Sequence, residues 1–136
     1  MIASRVLPVN LMGAAVAATL AFNLMPVAAA HAEGIAGSWS GGGVVTYSSG
    51  QRERASCRAN YSGGSGGVTM SGTCATPSGS ASQSAHLRKV GANSYAGSFF
   101  NSQFNASGSI HVTVHGNTQS VSLRSAAGSA NLTLRH

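Results

Sequence analysis

Arg52, Arg54 and Arg58 share one parity within the segment Arg52 to Thr76, RERASCRANYSGGSGGVTMSGTCAT, which also holds both cysteines of the chain. On a β-strand, alternate residues stand about 7 Å apart on one face, so Arg52 and Arg54 could engage adjacent anionic groups with Arg58 further along. Guanidinium suits phosphate and carboxylate because it offers paired hydrogen bonds in a planar fork. The matching partners would be acidic lipid head groups, acidic polysaccharide or a protein partner. The plainer alternative is that the arginines keep a charge-poor protein soluble. Nucleic acid is not expected, because no row of aromatics accompanies the arginines for base stacking.

Other chemistry is limited by inventory. The only carboxylate side chains are Glu33 and Glu53, and aspartate is absent. There is thus no carboxylate pair for glycoside hydrolysis and no aspartate-based triad, and no G-x-S-x-G occurs among the many serines. A non-enzymatic protein without a cofactor is expected. His111 and His115 share the polar face of one segment, but four strand residues span about 13 Å, too far for both to bind one ion. A partner on a neighbouring strand, such as His86, would be needed, and no metal site is expected.

The elements that hold these residues can be read outward from the cysteines. Gly63-Gly64-Ser65-Gly66-Gly67 is a turn segment, since glycine enters positive φ without steric cost. A fold-back centred between Ser65 and Gly66 sets Tyr61 opposite Met70, Ala59 opposite Gly72 and Cys57 opposite Cys74. Ala55, Cys57, Ala59 and Tyr61 then share the core side with Val68, Met70, Gly72 and Cys74, while Arg52, Arg54, Ser56, Arg58 and Asn60 face water. A one-residue slip would bury the arginines and separate the cysteines, so two signals agree on the register. A Cys57–Cys74 disulfide closing this loop is worth about 3 kcal/mol in the chain-entropy model.

Residues 1–32 have the form of a secretory signal: Arg5, an apolar run from Leu11 to Leu24, Pro26, and an A-x-A site at Ala30 and Ala32. The chain is expected to begin, once cleaved, at Glu33, and to be periplasmic or extracellular, where a disulfide persists. The apolar run of about 14 residues is shorter than the roughly 20 of a transmembrane helix. Residues 33–136 suffice for one small domain.

Within that domain, apolar residues alternate and glycine-rich turns recur. Gly37 to Tyr47 reads as a first strand bent at Gly41-Gly42-Gly43. After the clamped hairpin, strands are expected from Ala81 to Val90, with Ala81, Ala85 and Leu87 inward, and from Tyr95 to Asn101. A sixth runs from Phe104 with Phe104, Ala106, Ile110, Val112 and Val114 inward. The seventh has Val121 and Leu123 inward, and the eighth Ala130, Leu132 and Leu134. Eight short strands without helical periodicity predict an all-β fold: a single small antiparallel eight-stranded meander, closed into a barrel. Trp39, Tyr47, Tyr61, Met70 and Phe99 complete the expected interior. Barrels of this size are either packed solid or hold one small ligand, a filled core being the expected default.

Gly37-Ser38-Trp39 on the first strand resembles the G-x-W of the calycin group of small secreted barrels, which includes lipocalins, avidins and periplasmic metalloprotease inhibitors. The resemblance implies that Trp39 packs at one barrel end near a basic residue of the last strand, for which Arg135 is placed. The pattern from Gly37 to Leu134 also resembles small exported bacterial proteins, which implies no activity. An exported envelope protein binding an anionic surface or a small ligand is therefore expected. A calycin-type protease inhibitor using Glu33 to Ala36 as its inserting segment is one alternative; a small outer-membrane barrel or structural envelope protein is another. Oligomeric state is left open.

Overall fold

The structure is a computed structural model and describes residues 34–64 and 66–136. The leader expected over residues 1–32, the start at Glu33 and the turn centre at Ser65 lie outside the described residues. Gly34–His136 forms one compact unit of eight strands. These are β1 (Gly37–Tyr47), β2 (Arg52–Gly64), β3 (Gly67–Thr76), β4 (Gly79–Lys89), β5 (Ser94–Asn101), β6 (Ala106–His115), β7 (Thr118–Ser125) and β8 (Gly128–Arg135). Each pairs antiparallel with the next, and β8 pairs back onto β1, so the meander closes and leaves no sheet edge.

The register follows from the alternation. Cys57 lies opposite Cys74, Ala59 opposite Gly72 and Tyr61 opposite Met70, as the turn arithmetic predicts. The cysteines are bonded, with Cα atoms 4.1 Å apart. Side chains of one parity build a core of Trp39, Tyr61, Met70, Leu87, Ile110, Val112, Val121, Leu132 and Leu134. The opposite parity carries serines, threonines and the basic residues into water. A transmembrane barrel needs an apolar outer belt, and this wall, polar outside and apolar inside, has the reverse pattern. No helix among the described residues is long and apolar enough to cross a membrane.

Closing eight short strands into a cylinder demands sharp bends, which glycine supplies by close approach. A Cβ on Gly43 would lie 1.9 Å from the Asn131 carbonyl oxygen of β8, and one on Gly97 would lie 1.8 Å from that of His86 on β4. Gly43 belongs to the predicted bend; Gly97 is a second bend within β5.

One expected strand position is corrected. Phe104 does not start β6 or enter the core; it lies in the β5–β6 loop and is 68% exposed. The cause is Asn101. Asn101 Oδ1 accepts the backbone N–H groups of Gln103 and Phe104, at 3.0 and 3.2 Å, and this side-chain turn breaks the extended run before Ala106.

The two ends of the barrel differ. At the end holding the start of β1, Ile35 and Trp39 are buried, and Trp39 Nε1 donates to the Ile35 carbonyl at 2.9 Å. Tyr61 donates to Gln119 Oε1 at 2.7 Å in the same interior. Burial raises the Tyr61 phenol well above its ordinary value of 10.0. The folded protein therefore keeps that proton after the unfolded chain has released it, so stability is lost as pH rises above 10.0. Urea unfolding across that range is expected to show a Tyr61→Phe variant falling less steeply with pH than the wild-type protein. At neutral pH the variant should be weaker by about 1–3 kcal/mol, because the Gln119 amide loses its partner.

Candidate functional site

The opposite end of the barrel is open. The β1–β2, β3–β4, β5–β6 and β7–β8 turns surround a cavity of about 520 Å³ that runs into the lumen. Small side chains make the space: Ala81 on β4, Ala106 on β6 and Ala130 on β8 line it where the closed half carries Trp39, Tyr61 and Met70. Val45, Phe99 and Leu123 supply larger apolar surface, and the exposed ring of Phe104 stands at the mouth. The interior is thus packed at one end and hollow at the other, which departs from the filled core expected by default.

Polar groups are few and fixed. Glu53 has the inward parity of β2, beside Val45 in register, and is half-buried at the rim. Its carboxylate accepts from the Tyr47 hydroxyl at 2.8 Å and from Ser78 Oγ at 2.5 Å. These two bonds, that from Ser78 foremost, hold the carboxyl below its usual range. The Tyr47 phenol is raised in turn, first by its bond to Glu53 and then by burial. Across the lumen Asn101 Nδ2 donates to Gln83 Oε1 at 3.1 Å. Beyond the last β4–β5 pair, Gln103 takes the place of a strand: its Oε1 accepts from Ser82 N at 2.7 Å and its Nε2 donates to the Ser80 carbonyl. The β5–β6 loop is pinned to β4 by this amide.

Sequence reasoning singled out none of Glu53, Gln83, Asn101 and Gln119 as interior groups. The signal was present in each case. Glu53 shares parity with Ala55 and Cys57, Gln83 with Ala81 and Ala85, Asn101 with Phe99, and Gln119 with Val121. Alternation read through polar residues as well as apolar ones would have found them.

Arg52, Arg54 and Arg58 all lie exposed on the outer face of β2, so the predicted stripe exists as geometry. Arg58 borders a shallow depression with Ser40, Ser56 and Thr73. Because the three side chains point into water, replacing all of them by Gln is expected to change stability by no more than about 0.5 kcal/mol per site in thermal unfolding. Affinity for acidic vesicles, if the stripe confers any, should fall steeply toward physiological salt and vanish in the same variant.

Arg135 pairs in register with Ser40, beside Trp39 on β1. It has the outward parity of β8 and is exposed; the basic ring on Trp39 belongs to His136, edge to face with centroids 4.7 Å apart. His136 remains exposed, and its backbone N–H is held by the Asn117 carbonyl at 2.9 Å. His111 and His115 are exposed on β6, and β5 separates them from His86 on β4. Among the described residues no group of three metal-ligating side chains forms.

The fold and its open end define a small closed antiparallel barrel with a hollow mouth. No protein-family model matches the chain, and no curated protein matches it by sequence. Solved structures do. A redesigned β-barrel, mFAP1, bound to DFHBI is similar with a TM-score of 0.62 and 10% identity over 74% of this chain and 94% of that one. A de novo designed fluorescence-activating β-barrel gives 0.57 and 11% over 75% and 93%. A further redesigned β-barrel gives 0.54 and 14% over 74% and 90%. At such identities the likeness is one of fold.

Proposed function

We propose that this is an exported, non-enzymatic binding protein that takes a small, largely apolar molecule into the open end of its barrel. The observation that carries the reading is the hollow itself: about 520 Å³ walled by alanines, Val45, Phe99 and Leu123 in a barrel whose other end is packed. Concave, mostly apolar sites with a few fixed polar groups are the usual form of small-ligand pockets. The similar barrel mFAP1 was solved with DFHBI bound, which fits this reading without extending DFHBI to this chain. Export rests on the form of residues 1–32 and on the Cys57–Cys74 disulfide, which suits a periplasmic or extracellular setting. The calycin resemblance is consistent with Trp39 buried at the closed end.

Less supports the inhibitor alternative, whose inserting segment would run from Glu33 to Ala36. Ile35 is buried with its carbonyl bonded to Trp39, and the Ala36 carbonyl lies 3.2 Å from His136 Nε2, so these two residues are held at the closed end. Titration with the neutral fluorescent probe N-phenylnaphthylamine tests the preferred reading. Saturable emission enhancement with a stoichiometry of one is expected, and a linear, unsaturable response would remove the lumen as a ligand site.

A further inference from the structure

We infer that the open end prefers apolar cations: a hydrophobic body enters the lumen and a protonated amine lies against the Glu53 carboxylate. The inference rests on the lumen being a ligand site and adds the charge class of what it takes.

Glu53 is the only carboxylate side chain of the barrel, in a chain with a formal net charge of +6. It stands on the inward parity at the rim, beside Val45, which lines the cavity. Each of its oxygens accepts one hydroxyl, from Tyr47 and from Ser78, both of which also line the cavity. The Thr76 hydroxyl also helps to lower the Glu53 carboxyl, and since a carboxylate can accept about four hydrogen bonds, acceptor capacity remains. Neutral hydroxyls orient the group without cancelling its charge, and no basic side chain helps to hold it ionised.

The lining of the cavity contains no charged side chain; Glu53 stands just outside it at the rim, bonded to Tyr47 and Ser78 of the lining. Arg52 and Arg54 flank Glu53 in sequence and Arg124 lies between the lining residues Leu123 and Ser125, yet all three have outward parity and are exposed. Water and salt screen them, whereas an amine at the mouth would touch Glu53 directly beside apolar wall. A carboxylic acid in the same place would meet a fixed negative charge.

A simpler role for Glu53 is a clasp joining β1, β2 and the β3–β4 turn through its two hydrogen bonds. A clasp requires two hydrogen bonds and not a charge, and in Glu53→Gln the amide oxygen accepts one hydroxyl while its NH2 donates to the other, so the variant separates the two roles. Naphthylmethylamine, naphthylmethanol and naphthoic acid share one apolar body and differ in charge; each would be used to displace N-phenylnaphthylamine from the full protein. The amine is expected to bind at least about 10-fold more tightly than the alcohol, the scale of one hydrogen bond to a charged group, and the acid more weakly than either. In Glu53→Gln the amine should fall to the level of the alcohol, losing clearly more affinity than the alcohol does.

A variant that retains the amine preference, or loses amine and alcohol equally, would overturn the inference. Should the variant not fold, lowering the pH on the wild-type protein removes the same charge, and the amine should lose its advantage only below the ordinary carboxylate value of 4.5. Tyr47 is the one other titratable group bonded to Glu53, and it stays neutral over that range. Alcohol binding with no gain for the amine would sink this inference alone. Failure of every ligand would sink the lumen reading itself.

Discussion

Gly97→Ala should lower the unfolding free energy by about 3 kcal/mol or more, a large share of the 5–15 kcal/mol typical of a small domain. The added Cβ would sit 1.8 Å from the His86 carbonyl oxygen and 2.8 Å from Leu87 Cα. Both contacts are backbone, so no rotamer change can relieve them, and β4 and β5 would have to part at His86 and Leu87. The wall of a closed barrel has no free edge along which to absorb that shift. For a domain of this size the melting temperature should fall by about 12–24 °C. Gly64→Ala is the matched control: an added Cβ there meets nothing within 4 Å, and a change within about 0.5 kcal/mol is expected. Equal losses in the two variants would mean that backbone flexibility, and not close approach, sets the cost.

Filling the hollow end should abolish binding while sparing the fold. Ala81 on β4 and Ala130 on β8 are four strands apart in an eight-stranded ring and so face each other across the lumen. A double Ala81→Phe, Ala130→Phe variant would bring two rings together in the space a ligand needs. Affinity for N-phenylnaphthylamine should fall by at least about 100-fold, equivalent to about 2.8 kcal/mol. Because the rings enter existing space, stability should hold to within about 1 kcal/mol, checked by urea unfolding. Retained affinity in a well-folded double variant would place the probe elsewhere on the protein.

The barrel was legible in the sequence because two kinds of residue carry unambiguous geometry. The cysteines and the glycine turn together fix the register of β2 and β3, and alternation of small and large apolar residues fixes the parity of the other strands. Phe104 misled because it continues the alternation of Ala106 and Ile110, while the break comes from Asn101 folding onto its own backbone, a tertiary choice between two local options. Gly97 was legible only in part. An isolated glycine inside a strand marks close approach or a bulge, but which neighbour it approaches depends on the pairing of β4 with β5.

The candidate site was harder to read for a different reason. Attention to chemistry led to the exposed arginines, which are numerous, and away from Glu53, which is single and so cannot form a catalytic pair. Its role depends on the rim it occupies. That rim exists because alanines cluster toward one end of the barrel, and the clustering becomes visible only when Ala81, Ala106 and Ala130, far apart in sequence, are brought to one level.

Amide chemical-shift mapping by NMR during titration with N-phenylnaphthylamine tests the central claim most directly. The account predicts saturable shifts concentrated at the open end, on Val45, Ala81, Phe99, Leu123 and Ala130, with Ile35 and Trp39 at the closed end little affected. Shifts confined to the outer face around Arg52, Arg54 and Arg58, or none at saturating probe, would contradict it.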